Sequence, residues 1–195
     1  MTRILILGAN GQLARNTTRV LLEQTDCELT LYLRHAKRLK NPDPKRATII
    51  EGDVLDANGL REAMQGQDVV YANLSGDMAP QARSIIAAMK SSGLRRLIFI
   101  SSMGIYSEVR GEKYRSVLDP YRGSAALIEK SDLDYTILRP GWFTRAAAGP
   151  VRITQKNEPF FGHDISLDSL SGLIAKIATT PGLYSECSLG ISDGN

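Results

Sequence analysis

The sequence predicts an α/β fold, in which a doubly wound and mostly parallel sheet of six or seven strands has helices on both faces. Short apolar runs of strand length recur along the chain, and segments with the spacing of amphipathic helices separate them. The first run leads directly into a glycine turn and then a helix. Because this alternation continues without a repeat or a linker, we expect one domain over residues 1–195, with a small substrate-side segment over about residues 140–195.

Each element is predicted from its own residues. The strands are runs of Ile, Leu, Val, Tyr and Phe, and they cover Ile4–Leu7, Glu28–Leu33, Ala47–Glu51, Asp68–Ala72, Arg96–Ile100, Tyr135–Leu138 and, as a short seventh, Ser188–Ile191. The helices have apolar residues three and four positions apart, and they cover Gln12–Gln24, Leu60–Gln65, Pro80–Ser92, Tyr121–Lys130 and Leu167–Thr179. The stretch Arg145–His163 has neither period and contains several glycines and prolines, so we predict an irregular loop that closes over a substrate.

Composition limits the possible functions. The chain has 43% hydrophobic and 23% charged residues, as in an ordinary globular domain. Its net charge is +3 and it has no long basic block, which argues against a nucleic-acid partner. No apolar run approaches about 18 residues, which argues against a membrane span. The two cysteines, Cys27 and Cys187, indicate free thiols, and no cluster has the spacing of metal ligands. We therefore expect a cytoplasmic protein without a bound metal.

The N-terminal sequence R-I-L-I-L-G-A-N-G-Q-L-A indicates a phosphate-binding turn. Its first glycine permits a tight turn, and its second lets backbone N–H groups approach a pyrophosphate at the start of the following helix. Ala14 stands where a small residue lets the helix pack closely against the strand. We predict that this turn binds a dinucleotide through Gly8, Ala9, Asn10, Gly11, Gln12 and Leu13. The alternative is an ordinary strand-to-helix turn that contains two glycines.

The residues after the second strand predict which dinucleotide is bound. An NAD site commonly has an Asp or Glu here, which binds the ribose 2′-hydroxyl. This chain has Arg34-His35-Ala36-Lys37-Arg38 instead, and a guanidinium group fits a 2′-phosphate. Arg34 and Arg38 therefore predict NADP, with NAD as the second choice. A solvated basic loop is the alternative interpretation.

Small and polar residues follow the later strands, at the edge where ligands of such sheets bind. They are Asp53 and Val54 after the third strand, Asn73, Leu74 and Ser75 after the fourth, Ser101 and Ser102 after the fifth, and Pro140, Gly141, Trp142 and Phe143 after the sixth. We predict that they line the cofactor. Asp53 is placed to accept from the adenine amino group, with Val54 against the ring, or else Asp53 only caps a turn.

Taken together, these motifs resemble the short-chain dehydrogenase/reductase superfamily. The segments are G-A-N-G-Q-L-A, G-D-V-L-D, I-S-S-M-G-I-Y and Y-T-I-L-R-P-G-W-F, and they are most similar to the atypical NAD(P)-binding branch that includes NmrA-like and biliverdin-reductase-B-like proteins. The resemblance extends from Arg3 to about Gly190. It implies a Rossmann sheet with NAD(P) lying across Gly8, Gly11, Arg34, Asp53, Asn73 and Ser101, and with Pro140-Gly141-Trp142-Phe143 beside the nicotinamide.

The chain departs from the superfamily at its catalytic helix. Members that act on alcohols and ketones use a Tyr-x-x-x-Lys pair, in which the lysine prepares the tyrosine to transfer a proton. Here Tyr121 is followed four residues later by Ala125, so we expect Tyr121 to be a poor acid–base catalyst. Tyr106 is an alternative, although a tyrosine after a strand is more often a packing residue. The neighbours His163-Asp164 are interpreted as a structural turn rather than a catalytic pair.

Three functions follow as hypotheses. The first is an NADPH-dependent reductase of a small unsaturated, quinone-like or flavin-like acceptor, with Ser101 and Tyr121 as candidate catalytic residues. Such acceptors take a hydride directly and can draw their proton from water. The second, implied by the NmrA-like resemblance, is a non-catalytic NADP(H) sensor that binds a regulatory partner. The third is an isomerase or epimerase, which normally needs the Tyr–Lys pair. We expect a small-molecule acceptor as partner and a monomer or homodimer.

Overall fold

Ten strands and five α-helices make up the regular structure of residues 1–194, the part of the chain that this computed structural model describes. The strands are β1 (Arg3–Leu7), β2 (Glu28–Leu33), β3 (Ala47–Glu51), β4 (Val69–Ala72), β5 (Arg96–Ile100), β6 (Asp134–Pro140), β7 (Trp142–Thr144), β8 (Val151–Thr154), β9 (Asp164–Ser166) and β10 (Cys187–Asp193). The helices are α1 (Gln12–Gln24), α2 (Ala57–Ala63), α3 (Met78–Ser91), α4 (Asp119–Glu129) and α5 (Leu167–Thr179).

Eight of these strands form one sheet in the order β3-β2-β1-β4-β5-β6-β10-β8. Neighbouring strands from β3 to β10 are parallel, and β8 at the edge runs antiparallel to β10. The chain moves from β1 through β2 to one edge at β3, and then returns to β4 on the other side of β1. This reversal makes a switch point between β1 and β4, where a crevice opens at the carboxyl ends of the strands.

Two apolar layers hold the helices on the sheet. Helices α1 and α5 cover one face, over strand residues such as Ile4 and Ile6. Helices α2, α3 and α4 cover the other face, over Leu5 and Leu7. All four of these side chains are fully buried, so β1 is apolar throughout because both of its faces are covered.

The predicted fold class is confirmed, with eight strands in the main sheet rather than the predicted six or seven because β8 adds an antiparallel edge strand, and many elements have the predicted bounds. Helices α1 and α5 and strands β2, β3 and β5 begin and end where the sequence predicts. Helix α2 begins three residues earlier than predicted, at Ala57. The reason is that the side chain of Asp56 caps it by accepting the N–H of Asn58. No helix within residues 1–194 is long and apolar enough to cross a membrane.

The prediction of an irregular loop over Arg145–His163 is wrong in part, because β8 lies within it. Val151 and Ile153 alternate with Arg152 and Thr154 in an edge-strand pattern, but four residues are too few to make that pattern distinctive. Strands β7 and β9 are three residues each and pair with each other in parallel. These short strands attach the segment after β6 to the start of α5.

Candidate cofactor and acceptor site

Two glycines in the turn between β1 and α1 closely approach Asn73, the first residue after β4. Gly8 has a φ of +76°, and a Cβ on it would overlap the carbonyl oxygen of Asn73. A Cβ on Gly11 would lie 2.6 Å from Asn73 Nδ2. The first glycine is therefore required by the neighbouring backbone, and the second by a side chain in the crevice.

The N-terminus of α1 is open toward this crevice. Gly11 is its N-cap, so no side chain caps the helix, and its first turn has no acidic residue. The N–H groups of Gly8 and Ala9 donate to the carbonyl of Tyr32, and the N–H of Gly11 donates to the carbonyl of Gly8. The first helical N–H groups, from Gln12 onward, remain for an anion and carry the positive end of the helix dipole.

A cleft of about 330 Å³ lies along the carboxyl ends of β1 to β4. Ten residues predicted to bind the dinucleotide line it: Gly8, Asn10, Gly11, Arg34, Arg38, Asp53, Val54, Asn73, Leu74 and Ser75. Two others, Ala9 and Leu13, have side chains buried in the apolar layer under α1, so only their backbone atoms can face a ligand. Gln12 lines a neighbouring groove instead.

The basic loop after β2 forms one end of this cleft. Arg34 and Arg38 are exposed and line it together with His35. A carboxylate reaches the loop from β3, where Glu51 Oε2 accepts the N–H of Ala36 at 2.7 Å. The sequence does not predict this contact, because it joins two strands. Arg34 and Arg38 thus offer two guanidinium groups at this end of the cleft, as a 2′-phosphate requires, although the Glu51 carboxylate on the loop and Asp53 in the lining offset part of their charge.

Asp53 forms a turn at the end of β3 and also lines the cleft. Its Oδ1 accepts the N–H of Leu55 at 3.0 Å, and its carbonyl accepts the hydroxyl of Tyr32 at 3.0 Å. Tyr32 is a cleft residue that the sequence analysis does not predict, and its ring lies where a Cβ on Gly52 would overlap it. Burial, followed by the charges of Asp56 and Asp53, raises the pKa of Tyr32, so its hydroxyl remains a hydrogen-bond donor at neutral pH.

The ends of β5 and β6 lie next along the same edge of the sheet, beyond the residues that line the cleft. The cleft lining does not include the residues predicted there, which are Ser101, Ser102, Pro140, Gly141, Trp142 and Phe143. The N–H of Ser101 donates to the carbonyl of Leu138 at 2.7 Å, and that of Met103 to the carbonyl of Pro140 at 3.2 Å. The hydroxyl of Ser102 donates to the carbonyl of Met103 at 3.1 Å. The hydroxyl of Ser101 is buried and has no partner within residues 1–194. Because an unpaired buried hydroxyl is destabilising, this atom suits a partner that a ligand supplies.

The segment after β6 is fixed against the start of β9. The N–H of Trp142 donates to the carbonyl of His163 at 2.8 Å, and a Cβ on Gly141 would overlap the same carbonyl. The rings of Trp142 and His163 are stacked with centroids 6.2 Å apart, and His163 Nδ1 lies 2.6 Å from Asp164 Oδ1. Trp142 is 52% exposed and Phe143 40%. Two exposed aromatic side chains therefore stand at the carboxyl end of β6.

The two candidate catalytic residues lie on different elements. Ser101 follows β5, whereas Tyr121 is on α4 and packs against the apolar layer under α3 and α4. Ala125 is fully buried in that same layer. A cation at position 125 would therefore lie in the core. No hydrogen bond joins Ser101 to Tyr121 in the described part of the chain.

Tyr106 belongs to a half-buried polar network. Its hydroxyl donates to Glu129 Oε1 at 2.6 Å and lies 3.1 Å from Ser188 Oγ. Burial, and then the hydrogen bond to Glu129, raises the pKa of Tyr106. The guanidinium group of Arg139 lies 5.0 Å from the centroid of its ring, and this fully buried arginine forms an ion pair with Glu108. Tyr106 is therefore a packing and network residue rather than a proton donor for an acceptor.

A doubly wound sheet with an uncapped helix at its switch point and a basic cleft beside it defines a dinucleotide-binding Rossmann protein. The chain belongs to the family described as NAD(P)H-binding, which matches residues 8–181. A Rossmann-fold NAD(P)-binding family protein from Shigella flexneri is 42% identical, with a TM-score of 0.87 over 100% of this chain and 97% of that one. A short-chain dehydrogenase/reductase from Veillonella parvula, solved in complex with NADP, is 26% identical, with a TM-score of 0.91 over 100% and 95%. The predicted resemblance is thereby confirmed.

A curated relative has a more specific name. Quinone oxidoreductase 2 of Escherichia coli (strain K12) is 24% identical over 145 residues, which are 72% of this chain and 49% of that protein. The chain likewise spans 49% of the isoflavone reductase homologue IRL of Zea mays, so it covers only about half the length of these two curated relatives. The family relationship thus establishes NAD(P)H binding, while the acceptor has to be argued from the site.

The residues of the cleft fit NADP(H). The uncapped start of α1 suits the pyrophosphate, and Arg34 and Arg38 suit the 2′-phosphate. Asn10 Oδ1 is buried without a partner among the described residues, and Asn10 lines the cleft. Within residues 1–194, no three His, Cys, Asp or Glu side chains are grouped so that they could hold a metal ion.

Proposed function

We propose that the protein is an NADP(H)-dependent oxidoreductase that transfers a hydride to a small unsaturated, quinone-like or flavin-like acceptor. The observation that carries the proposal is the exposed aromatic pair Trp142 and Phe143 at the carboxyl end of β6. A planar conjugated molecule packs well on such side chains beside a bound cofactor. The curated relative from Escherichia coli is named a quinone oxidoreductase, which supports the same class of acceptor.

The residues of this chain bind and orient the reactants. The start of α1 and Arg34 bind the phosphates of the cofactor. Bound NADPH supplies the hydride. Trp142 binds the acceptor and excludes water from one face of it, whereas Phe143, the next residue of β7, points to the other side of the strand. Gly141 lets the backbone of this segment lie directly against the start of β9, so the backbone that carries Trp142 is held in one position.

The absence of a Tyr-x-x-x-Lys pair in the sequence favours an acceptor that does not need a side chain of the protein as its general acid. None of the seven tyrosines is followed four residues later by a lysine, and position 125 faces the core. A conjugated acceptor spreads the charge that a hydride adds, so its oxygen can take a proton from water. A ketone instead needs a proton during the transfer. We assign the Ser101 hydroxyl, which is buried without a partner among the described residues, to a hydrogen bond with the acceptor, whereas Tyr121 is assigned no role.

The test is a panel of acceptors at saturating protein, followed by the absorbance of NADPH. Small quinones or free flavin should consume NADPH slowly, and simple ketones should consume little or none. Trp142→Ala should lower turnover of the quinones while NADPH affinity stays within about twofold, because the indole contacts the acceptor face. Efficient ketone reduction by the wild type would contradict the proposal.

One outcome of the panel would favour the second hypothesis. If NADPH binds tightly and no acceptor is turned over, the protein is better described as a sensor of NADP(H). A pull-down in the presence of NADPH and of NADP⁺ would then show whether a partner binds in a way that depends on the redox state of the cofactor.

A further inference from the structure

A second groove lies beside the start of α1, outside the dinucleotide cleft. Its volume is about 410 Å³, and it is bounded by α1, the segment after β7 and the start of α5. Three arginines line it, namely Arg15, Arg19 and Arg145, together with one carboxylate, that of Asp168. The groove therefore has an excess of positive charge.

The three arginines differ in their partners. Arg19 is neutralised, because it lies 2.5 Å from Asp168 Oδ1 and 2.6 Å from Glu23 Oε2. The Asp168 carboxylate is thus already engaged. Arg15 and Arg145 are exposed, and their side chains have neither an ion pair nor a hydrogen bond within residues 1–194. Two unpaired guanidinium groups on one groove repel each other, and an anion between them replaces that repulsion with charge-assisted hydrogen bonds.

The backbone that carries Arg145 is fixed. The hydroxyl of Ser166 donates to the carbonyl of Ala146 at 2.9 Å, and the N–H of Gly149 donates to Ser169 Oγ at 3.0 Å. Both serines are at the start of α5. Arg145 is therefore presented by an ordered segment, which reduces the entropy that binding a ligand must overcome.

The groove also adjoins both halves of the site already described. Gln12, the first residue of α1, lines it on the side of the pyrophosphate-binding turn. Arg145 follows Trp142 by three residues, or about 10 Å of extended chain. A molecule packed on Trp142 can therefore place a polar tail in the groove.

We propose that Arg15 and Arg145 bind the anionic group of the acceptor, a phosphate or a carboxylate, so that the protein prefers acceptors with an anionic tail over neutral molecules with the same ring. This inference rests on the proposed function only for the statement that the ligand is an acceptor. The binding of the anionic molecule to the groove is measurable without turnover. The pyrophosphate of the cofactor is the other anionic group that could bind to these arginines. The experiment distinguishes binding of the acceptor from binding of the cofactor.

FMN and riboflavin are suitable probes because they differ only in the phosphate. The binding of each to protein saturated with NADP⁺ is measured by calorimetry, so no hydride is available. FMN should bind about three- to tenfold more tightly than riboflavin at low salt, and added salt should weaken FMN alone. Arg15→Gln and Arg145→Gln should each remove most of this difference. Arg83→Gln, which removes an exposed arginine from α3 on the opposite face of the sheet, should leave it unchanged.

Each outcome decides the inference. Equal affinity for the two flavins, no binding of FMN, or an FMN preference that survives in both arginine variants would overturn it. A loss of NADP⁺ affinity in these variants that exceeds their loss of FMN affinity would assign the arginines to the cofactor and also overturn it. An FMN preference that depends on both arginines, in a protein that reduces no acceptor, would support the groove while the proposed reductase fails. Turnover of neutral quinones without an FMN preference would support the proposed reductase and overturn the inference about the groove.

Discussion

Gly11 and Asn73 face each other across the switch point of the sheet, so closely that a Cβ on Gly11 would lie 2.6 Å from Asn73 Nδ2. Gly8 approaches the same residue, but there the overlap would be with the backbone carbonyl oxygen. A side chain can move aside into the crevice, whereas the backbone of β4 cannot move without disturbing the sheet. The two glycines of one turn are therefore needed for different reasons, and substitutions should separate them.

Gly11→Val should weaken NADPH binding by at least about tenfold and leave the domain folded. The added side chain displaces the Asn73 carboxamide into the space that the pyrophosphate needs. Calorimetry with NADPH and circular dichroism are the measurements. A folded variant with normal NADPH affinity would show that this glycine only forms the turn.

Gly8→Ala should destabilise the fold itself. Adopting a φ of +76° costs a non-glycine residue about 1–2 kcal/mol, and the overlap with the Asn73 carbonyl adds to this. Gly93→Ala is the matched control, since Gly93 has a φ of +69° and nothing within 4 Å of its Cβ position. Urea unfolding should give a clearly larger loss of stability for Gly8→Ala. Equal losses of stability would mean that the close approach of Gly8 to the Asn73 carbonyl contributes nothing to the cost of the substitution.

Arg34→Ala should remove most of the preference for NADPH over NADH. A hydrogen bond to a charged group contributes about 1.5–3 kcal/mol, or about 10- to 150-fold in affinity. NADH affinity should hardly change, because NADH has no 2′-phosphate. Calorimetry of wild type and variant with both cofactors measures this. If the wild type binds NADH and NADPH equally, the basic loop is only a solvated surface.

Ala125→Lys should destabilise the protein by at least about 3 kcal/mol and should not create ketone reduction, because it places a cation in a fully buried apolar layer. Ala126→Lys is the control, since Ala126 is exposed on the same helix, and its effect should stay within about 0.5 kcal/mol. Chemical unfolding and a ketone assay are the measurements. A stable Ala125→Lys variant that reduces ketones would mean that this position faces the cofactor.

Arg139→Met should destabilise the protein by about 3–5 kcal/mol, because it leaves the carboxylate of Glu108 buried without its cation. Glu108 also accepts the N–H groups of Gly104 and Tyr106, so the loop after β5 should loosen as well. Adding Glu108→Gln to Arg139→Met should recover part of the loss, since the unpaired charge is then removed. If the double variant is no more stable than Arg139→Met, the destabilisation comes from lost packing rather than from the buried charge. Urea unfolding of the three proteins distinguishes these cases.

Much of the fold could be predicted because its signals are local. A strand buried on both faces must be apolar at every position, as Ile4-Leu5-Ile6-Leu7 is, and a crossover helix must have a 3.6-residue period. The cap of α2 and the short strands β7, β8 and β9 escaped prediction because three or four residues are too few to show a period. The glycine turn and the basic loop were predictable for the same local reason.

The sequence by itself determined the succession along the chain of β1 to β6, β10 and the five helices, the glycine turn between β1 and α1, and the positive charge of the loop at Arg34. Only the tertiary structure decided which distant residues meet: Trp142 stacks on His163, Tyr32 packs under Gly52, and Arg15 shares a groove with Arg145. The physical reason is that these contacts depend on strand order and on the direction in which the chain returns from β3 to β4. Neither is a property of any short segment, so local patterns specify the elements and long-range packing specifies the site.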